Sequence, residues 1–480
     1  MIPGVVGTKN KELSILNFKI PDDVKFIIKT LQQNNYNAYV VGGSVRDMIM
    51  NRIPKDYDIT TNCLPDVTMS IFSSYNVIPT GLKHGTVTFV INGNNYEITT
   101  FRNDGKYSDN RKPDEVKFTN SLIEDLSRRD FAMNAIAYND IEGLIDPFGG
   151  LYDINDKIIK CVGLAEERFQ EDALRMMRAI RFKAQLGFNL DKYTWKAIHN
   201  NYKLIENISM ERMQQELNKI LLSNPLEIYT LDHFKLLNHI TPEFDACFWT
   251  NQDNPYHIYS VGKHIIHSCN NIEPILHLRL AMLFHDIGKA SCKTIDETGR
   301  GHFYGHPEIS SRMTVDILKK LRYDNYTIMK VRDLVLYHND DIPDTKKGVR
   351  RWLNKIGEEM FRDLLKVKIA DAKAQNLEYS LKKIEKVKRI EIILEEILED
   401  RNCFSRKDLA LSGSDLIEME YPEGKDIGEI IDFLLNKVID NPELNTKEKL
   451  TTIVKEEYVH HYYYKFKKLF EGTEFENKEN

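Results

Sequence analysis

Cysteine is scarce and scattered in this chain of 480 residues: Cys63, Cys161, Cys247, Cys269, Cys292 and Cys403 lie far apart, and no C-x-x-C occurs. That spacing argues for reduced thiols in a cytoplasm and against a zinc knuckle. Long uncharged runs are missing too, so no segment is expected to span a bilayer or engage a membrane. The opening "MIPGVVGTKNKELSIL" has no basic segment followed by an apolar run, and no signal peptide is expected. Neither charge sign dominates; the net charge of -6 carries no global signature of nucleic-acid binding. Any RNA contact must come from locally placed Lys and Arg. Internal repeats and low-complexity linkers are absent as well.

What is present suits a globular protein: 42% hydrophobic and 29% charged residues. The length exceeds one ordinary core, so two to four domains are expected. Up to about residue 150 the periodicities mix. "DDVKFIIKTLQQNN" reads as an amphipathic helix, "AYVV", "GTVTFVI" and "YEITTF" read as strands, and Asn92-Gly93-Asn94 reads as a hairpin turn. From about 151 the pattern is almost wholly helical, as in "QEDALRMMRAIRFKAQL" stopped by Gly187, "MERMQQELNKILL" and "RLAMLFHDIGKA". The expected fold class is α+β: a head with a small mixed sheet, then a long all-α body.

The densest chemistry lies in "VVGGSVRDMIMNRIPKDYDIT", residues 40–60. In a strand, residues i and i+2 share a face, so Asp56 and Asp58 present their carboxylates together. Two such charges repel unless a divalent cation stands between them, and hard oxygen ligands suit Mg²⁺. Gly42 and Gly43 let backbone N–H groups approach an anion at the start of the next helix, and Ser44 and Arg46 add donors for phosphate oxygens. A triphosphate cradle beside a metal pair is the layout that nucleotidyl transfer to a hydroxyl requires.

"VGGSVRDMIMNRIPKDYDIT", "GLKHGTVTF", "EITTFR", "SRRDFAMNAIAYN", "DPFGG" and "QEDALRMMRAIRFKAQLGF" occur in order over roughly residues 20–225. Together they resemble the bacterial class II tRNA nucleotidyltransferase/poly(A) polymerase family, with a weaker continuation near residues 409–450. The resemblance implies a polymerase-beta-like nucleotidyltransferase head over 1–150, a neck for base recognition and RNA binding over 151–225, a helical body over 226–375, and a C-terminal body and tail over 376–480 that binds tRNA. It implies that Asp56 and Asp58 hold Mg²⁺, that Gly43, Ser44 and Arg46 hold the triphosphate, and that Arg128, Arg129 and Asp130 surround the sugar and phosphates. Glu97 on a neighbouring strand is either a third acidic group or an ordinary exposed strand residue.

Asp172 and Arg175 in "EDALR" lie three apart, on one helix face. Cytosine and adenine both set an exocyclic amino donor beside a ring-nitrogen acceptor, so one carboxylate and one guanidinium serve both bases. Uracil and guanine reverse that pattern and leave buried polar groups unpaired. Without a ligand the pair is expected to close as an intrahelical salt bridge. Choosing CTP and ATP without a template is what CCA addition to a tRNA 3′ end needs. Residues 102–118, "RNDGKYSDNRKPDEVKF", resemble the flexible loop of full CCA-adding members, and "GLKHGTVTF" departs from the poly(A) polymerase branch. Arg212 and Glu216 match a helix-stabilising motif and read as structural. The alternatives are a poly(A) polymerase, a partial CC- or A-adding enzyme, and a non-catalytic RNA-binding protein.

"VGKHIIHS", "MLFHDIGKA", "FYGHPEIS", "LYHND" and "IADAKAQN" resemble an HD metal-dependent phosphohydrolase domain within the helical body. The matching residues are His264, His285, Asp286, His306, His338 and Asp371. His and Asp from separate helices can converge on one or two divalent ions, which lower the pKa of bound water. Lys289 could neutralise a phosphate, while His257 and His267 are nearby spares. The resemblance implies a phosphatase or 2′,3′-cyclic phosphodiesterase acting on damaged RNA ends. The tail "HHYYYKFKKLF" reads either as a packed helix or as a stripe that stacks on RNA.

Overall fold

The computed structural model describes residues 18–105, 110, 115–400 and 404–458. The opening segment, residues 106–109 and 111–114 of the polar connector, Cys403 and the aromatic tail lie outside the described residues. The chain divides into two compact units: residues up to Asp245 with Lys320–Arg322, and Ala246–Lys319 with Tyr323 onward.

The first unit begins with α1 (Asp22–Gln33), where Val24, Ile27, Ile28 and Leu31 are buried at helical spacing on one face. A seven-stranded sheet follows, built from β1 (Ala38–Val41), β2 (Asp58–Thr61), β3 (Asn76–Gly81), β4 (Thr86–Ile91), β5 (Asn94–Thr100), β8 (Ala137–Asn139) and β9 (Gly143–Ile145), in the order β3-β4-β5-β2-β1-β8-β9. Every pairing is antiparallel except β2 with β5, which run parallel. Between β5 and β8 a separate hairpin pairs β6 (Arg102–Asp104) with β7 (Val116–Phe118). Short helices sit between the strands: α2 (Gly43–Ile49), α3 (Pro65–Ile71) and α4 (Leu122–Ser127), with α5 (Gly150–Asn155) after β9. Tyr39, Val41, Phe101, Leu126 and Ala137 form an apolar cluster beneath the sheet end that carries the carboxylates.

Strands "AYVV", "GTVTFVI" and "YEITTF" fall where their β-branched and aromatic residues place them, and the hairpin turns at Asn92 and Gly93, both with positive φ. Two expected details change. The strand begins at Asp58, so Asp56 precedes the pleat instead of sharing it. The single helix expected from "QEDALRMMRAIRFKAQL" is two, α6 (Ala165–Glu171) and α7 (Leu174–Leu186). Asp172 breaks it by adopting extended backbone (φ -138°, ψ 102°) and capping the second helix through the Leu174 N–H at 3.1 Å. Gly187 does stop α7, in the left-handed conformation at φ 71°. The first unit continues with α8 (Lys192–Asn201) and α9 (Met210–Ser223).

Among its described residues the second unit is helical apart from one small hairpin, Thr294–Ile295 with Gly301–His302. Its helices include Val261–Asn270, Leu276–Phe284, His306–Lys320, Asn325–Tyr337 and Glu358–Lys373. The run expected over "RLAMLFHDIGKA" ends at Phe284, so His285 and Asp286 sit where the backbone turns. Towards the C-terminus Leu411, Leu416, Ile430, Leu434 and Val438 form a separate apolar cluster. Among the described residues no helix is long and apolar enough to cross a membrane.

Candidate functional site

In the head, strand register builds the site. Parallel pairing sets Asp58 beside Glu97, and antiparallel pairing sets Val41 opposite Asp58, one residue before the glycine turn. Gly42 has φ 83°, and a Cβ there would lie 3.2 Å from Arg129 Nη1 and 3.9 Å from Asp58 Oδ2. Glycine is needed both for that backbone and for that approach. A cleft of about 180 Å³ opens here, lined by the acids Asp58 and Glu97, the cations Arg102, Arg128 and Arg129, and Thr86 and Thr99.

Asp58 reaches solvent through the cleft, yet the walls crowd its carboxyl. That desolvation, with Asp56 and Glu97 adding to it against Arg129, pushes Asp58 up to about 6. Repelling carboxylates of hard oxygen fit a divalent cation. The oxygens of these three acids do not gather within 4.8 Å of one another.

Asp125, which sequence reasoning missed, holds the arginines. Buried in α4, it accepts from Arg128 at 2.8 and 3.0 Å, Arg129 at 3.4 Å, Thr60 at 3.2 Å and the Arg102 N–H at 3.3 Å. Its spacing of three and four residues from Arg128 and Arg129 is the signal that could have found it. Burial alone would raise Asp125, but the two guanidiniums hold it below the usual carboxylate range.

The other expected head residues sit differently. Asp130 is buried away from the cleft lining and accepts from Arg178 at 2.5 and 2.8 Å and from the Phe131 N–H at 2.8 Å. Burial opposes its charge, and Arg178 overrides that, drawing Asp130 down to about 2. The Ser44 hydroxyl donates to the Val41 carbonyl at 3.2 Å. Arg46 donates to Asp47 at 2.7 and 2.9 Å and to Asn134 at 2.8 Å. Ser44 and Arg46 thus each make their side-chain hydrogen bonds within and around the glycine turn.

The expected salt bridge between Asp172 and Arg175 is absent. Asp172 pairs with Arg212 at 2.7 and 3.2 Å, while Arg175 pairs with Glu171 at 2.6 Å and donates to the Arg128 carbonyl at 2.9 Å. The break at Asp172 turns the two side chains to different partners. Arg212 thus holds Asp172, and Glu216 on the same helix holds Arg181 at 3.1 Å. Asn110, one of the described residues of the connector, accepts the Ala173 N–H on its backbone carbonyl at 3.0 Å and so lies at this junction.

In the second unit, four histidines and two aspartates converge. Each imidazole donates Nδ1–H to a backbone carbonyl: His264 to Ala374 (3.3 Å), His285 to Met282 (2.8 Å), His306 to Phe303 (2.8 Å) and His338 to Val335 (2.6 Å). A carbonyl only accepts, so Nδ1 carries the hydrogen and Nε2 is left to face the centre. Three of those carbonyls lie three residues upstream: Met282 and Val335 in the last turn of their helices and Phe303 just before the helix that starts at His306. His264 Nε2 is 2.8 Å from Asp371, and Asp286 is 1% exposed. Burial drives His306 down to about 4 and lowers His338, keeping both neutral. His285 goes the other way, up to about 10, because Asp286 and Asp371 outweigh its burial. Lys289 lies 2.7 Å from Asp286 Oδ2 and is held by Gln252 at 3.0 Å, a contact no motif signalled. His257 meets His264 edge to face at 4.7 Å and His267 stacks on Tyr259 at 4.4 Å; neither joins the ligand clusters.

Paired acids at the end of the central strands, with facing arginines and a glycine turn, make a head of the nucleotidyltransferase class. Residues 38–160 match the family model described as the Poly A polymerase head domain. Residues 187–248 match a probable RNA and SrmB-binding site of polymerase A, and residues 306–454 a putative tRNA nucleotidyltransferase domain 2. A CCA-adding enzyme of Geobacillus sp. (strain WCH70) is 56% identical over 196 residues, 41% of this chain and 48% of that protein. One from Staphylococcus aureus (strain MRSA252) is 48% identical over 211 residues, 44% of this chain and 52% of that protein. The chain thus spans about half the length of the curated relatives it matches. The crystal structure of the Bacillus stearothermophilus CCA-adding enzyme in complex with CTP aligns over 91% of this chain and 97% of that one, with 31% identity and TM-score 0.67. The Thermotoga maritima CCA-adding enzyme complexed with tRNA-CCA shares the fold at 19% identity, TM-score 0.59, over 92% of this chain and 97% of that one. This chain belongs to the CCA-adding enzyme family.

Proposed function

We propose that the chain adds CCA to tRNA 3′ ends from CTP and ATP, without a template, in the cytoplasm. The observation that carries this reading is the cleft in which Asp58 and Glu97 meet Arg102, Arg128 and Arg129 beside the Gly42 turn. The tRNA 3′-hydroxyl oxygen gives up its proton and bonds to the α-phosphorus while the P–O bond to the β-phosphate breaks, and pyrophosphate leaves. Asp56 and Asp58 would hold Mg²⁺, with Glu97 as the adjoining acid; when bound, the ion would supply Lewis acidity for the attacking hydroxyl and the triphosphate. Arg128 and Arg129, preset by Asp125, bind phosphate oxygens without reorganising. Asp130 orders Arg178 and the turn that carries the arginines, and Gly43, Ser44 and Arg46 shape the glycine turn that borders the cleft. Asp172 and Arg175 exchange Arg212 and Glu171 for the Watson–Crick edge of cytosine or adenine.

The test supplies tRNA ending before CCA with labelled CTP and ATP, singly and together, and reads product length. Addition of C, C and A in order is expected. Extension of unstructured RNA with ATP alone would mark a poly(A) polymerase, and an arrest after CC, or addition of A only, a partial enzyme. Failure to incorporate any nucleotide would leave an RNA-binding protein.

We further propose that the helical unit is an HD-type metal-dependent phosphohydrolase acting on phosphorylated RNA ends. Four imidazoles with fixed tautomers around a buried carboxylate support it. His264, His285, Asp286, His306, His338 and Asp371 would hold divalent metal there, and Lys289 would neutralise phosphate. Release of phosphate from a 2′- or 3′-phosphorylated RNA, or opening of a 2′,3′-cyclic end, is the expected activity.

A further inference from the structure

Resting on the phosphohydrolase reading of the helical unit, we propose that its substrate carries an unpaired nucleobase, which stacks on the exposed ring of Tyr304. Tyr304 is 76% exposed, a large ring that folding leaves in water. Only two Cα steps of about 3.8 Å separate it from His306, a member of the buried cluster. The Phe303 carbonyl that accepts the His306 Nδ1–H immediately precedes it, so the segment that orients His306 also presents Tyr304.

A side chain left in water is free to change rotamer. This one is held. Its ring stacks on His302 with the planes 5° apart and the centroids separated by 5.3 Å. The His302 Nε2–H donates to Asp296 Oδ2 at 2.7 Å, which leaves Nδ1 to accept the Tyr304 phenol at 3.3 Å. Asp296 is fixed in turn by the Thr298 and Arg300 N–H groups, at 2.9 and 3.1 Å. The ring is therefore ordered before a ligand arrives, and stacking on it costs little side-chain entropy. His302 covers one face, and the other is open to solvent.

The hairpin that carries His302 is registered to the centre at two points. The Gly301 N–H donates to the Asp253 carbonyl at 2.9 Å, and a Cβ at Gly301 would stand 2.3 Å from the Gln252 carbonyl oxygen. Only glycine permits that approach, and the Gln252 side chain holds Lys289. Beside it the Arg300 guanidinium lies over the Tyr256 ring at 5.2 Å, and the next residue, His257, meets His264 edge to face. A preordered aromatic face, with a cation alongside and a phosphate-binding centre two residues away, suits a nucleoside phosphate. Every base has a π-face, so stacking accepts any of them. A base stacked within a duplex has both faces covered, so the ligand is a free nucleotide or a single-stranded RNA end.

The test compares full-length wild type with Tyr304→Ala, in Co²⁺, on adenosine 3′-phosphate, a 3′-phosphorylated trinucleotide and ribose 5-phosphate. Calorimetry gives Kd and phosphate release gives kcat and KM. Nucleotide bound at the head is common to both proteins, so their difference isolates the rim. Tyr304→Ala should raise Kd and KM for the nucleosidic ligands roughly 10–100-fold, the size of one base–aromatic stack, with kcat and all ribose 5-phosphate values unchanged. Tyr304→Trp and Tyr304→Phe should bind as the wild type does, since the ring and not the hydroxyl meets the base. A loss confined to adenosine 3′-phosphate identifies free nucleotide as the ligand, and one confined to the trinucleotide identifies an RNA end. Unchanged values for both, or an equal change for ribose 5-phosphate, overturn the platform while leaving hydrolysis intact. Tyr304-dependent binding without phosphate release keeps the platform and overturns the phosphohydrolase reading. The wild type alone must also prefer adenosine 3′-phosphate to ribose 5-phosphate, a comparison that needs no variant to fold.

Discussion

The two centres meet the same problem, concentrated negative charge, with opposite chemistry. In the head the donors are carboxylate oxygens at the rim of an open cleft, with arginines opposite. In the helical unit they are imidazoles sealed among helices, with tautomers set by backbone carbonyls. An open, oxygen-only site exchanges its ion with the nucleotide that carries it, as hard Mg²⁺ does. On the proposed reading, the imidazole-rich cluster suits a transition ion instead. The difference also explains where precision comes from. The head relies on strand register, Asp58 against Glu97. The helical centre relies on helix ends, where His285 and His338 follow the last helical residue.

The sharpest way to break this comparison is to disable one centre and read the other. Asp58→Ala and Asp56→Ala should each cut nucleotide incorporation by about a thousandfold, the loss of several kcal/mol of metal stabilisation, while tRNA still binds and phosphate release by the helical unit holds. Persistent turnover in both variants would remove the metal assignment from the head. Asp286→Ala should abolish phosphate release from phosphorylated RNA ends and leave CCA addition unchanged. Parallel loss of both activities would show that the centres are not independent.

Selectivity comes next. Asp172→Ala should lower discrimination of CTP and ATP against UTP and GTP by roughly 10–100-fold, the cost of one unmade buried hydrogen bond. Unaltered selectivity would assign Asp172 to holding Arg212 alone.

The pH response separates the centres further. With Asp58 raised to about 6, lowering the pH through that value protonates the carboxyl, so incorporation should fall below it. Added Mg²⁺ should move the inflection to lower pH. Since the folded-state value exceeds the unfolded one, ionised Asp58 weakens the fold above about pH 6 and that penalty disappears below the unfolded value. Asp58→Asn should accordingly raise the melting temperature at neutral pH while removing activity. The smallest effect expected is for Gly42→Ala, about 1–3 kcal/mol from backbone strain at positive φ, seen as a melting temperature lower by a few degrees.

Much of the head was legible from residue order. Alternation placed β1, β4 and β5, and the glycine turn followed by D-x-D marked the cleft. Helix breaks were less legible. "EDALR" satisfies helical periodicity, yet Asp172 leaves the helix because a distant partner, Arg212 on α9, competes for its carboxylate. Asp125 carried a local signal at helical spacing from two arginines, whereas Gln252, which holds Lys289, carried none.

Residue order alone settled which groups were available: the acids, the glycines, the arginines, and the His and Asp spaced along separate helices. Those are properties of local pattern and side-chain chemistry, and they survive without coordinates. Pairing was decided in three dimensions. That Asp58 neighbours Glu97, that Arg175 takes Glu171, and that one carboxylate faces two histidine pairs all depend on long-range packing, which brings together segments that no short-range rule connects.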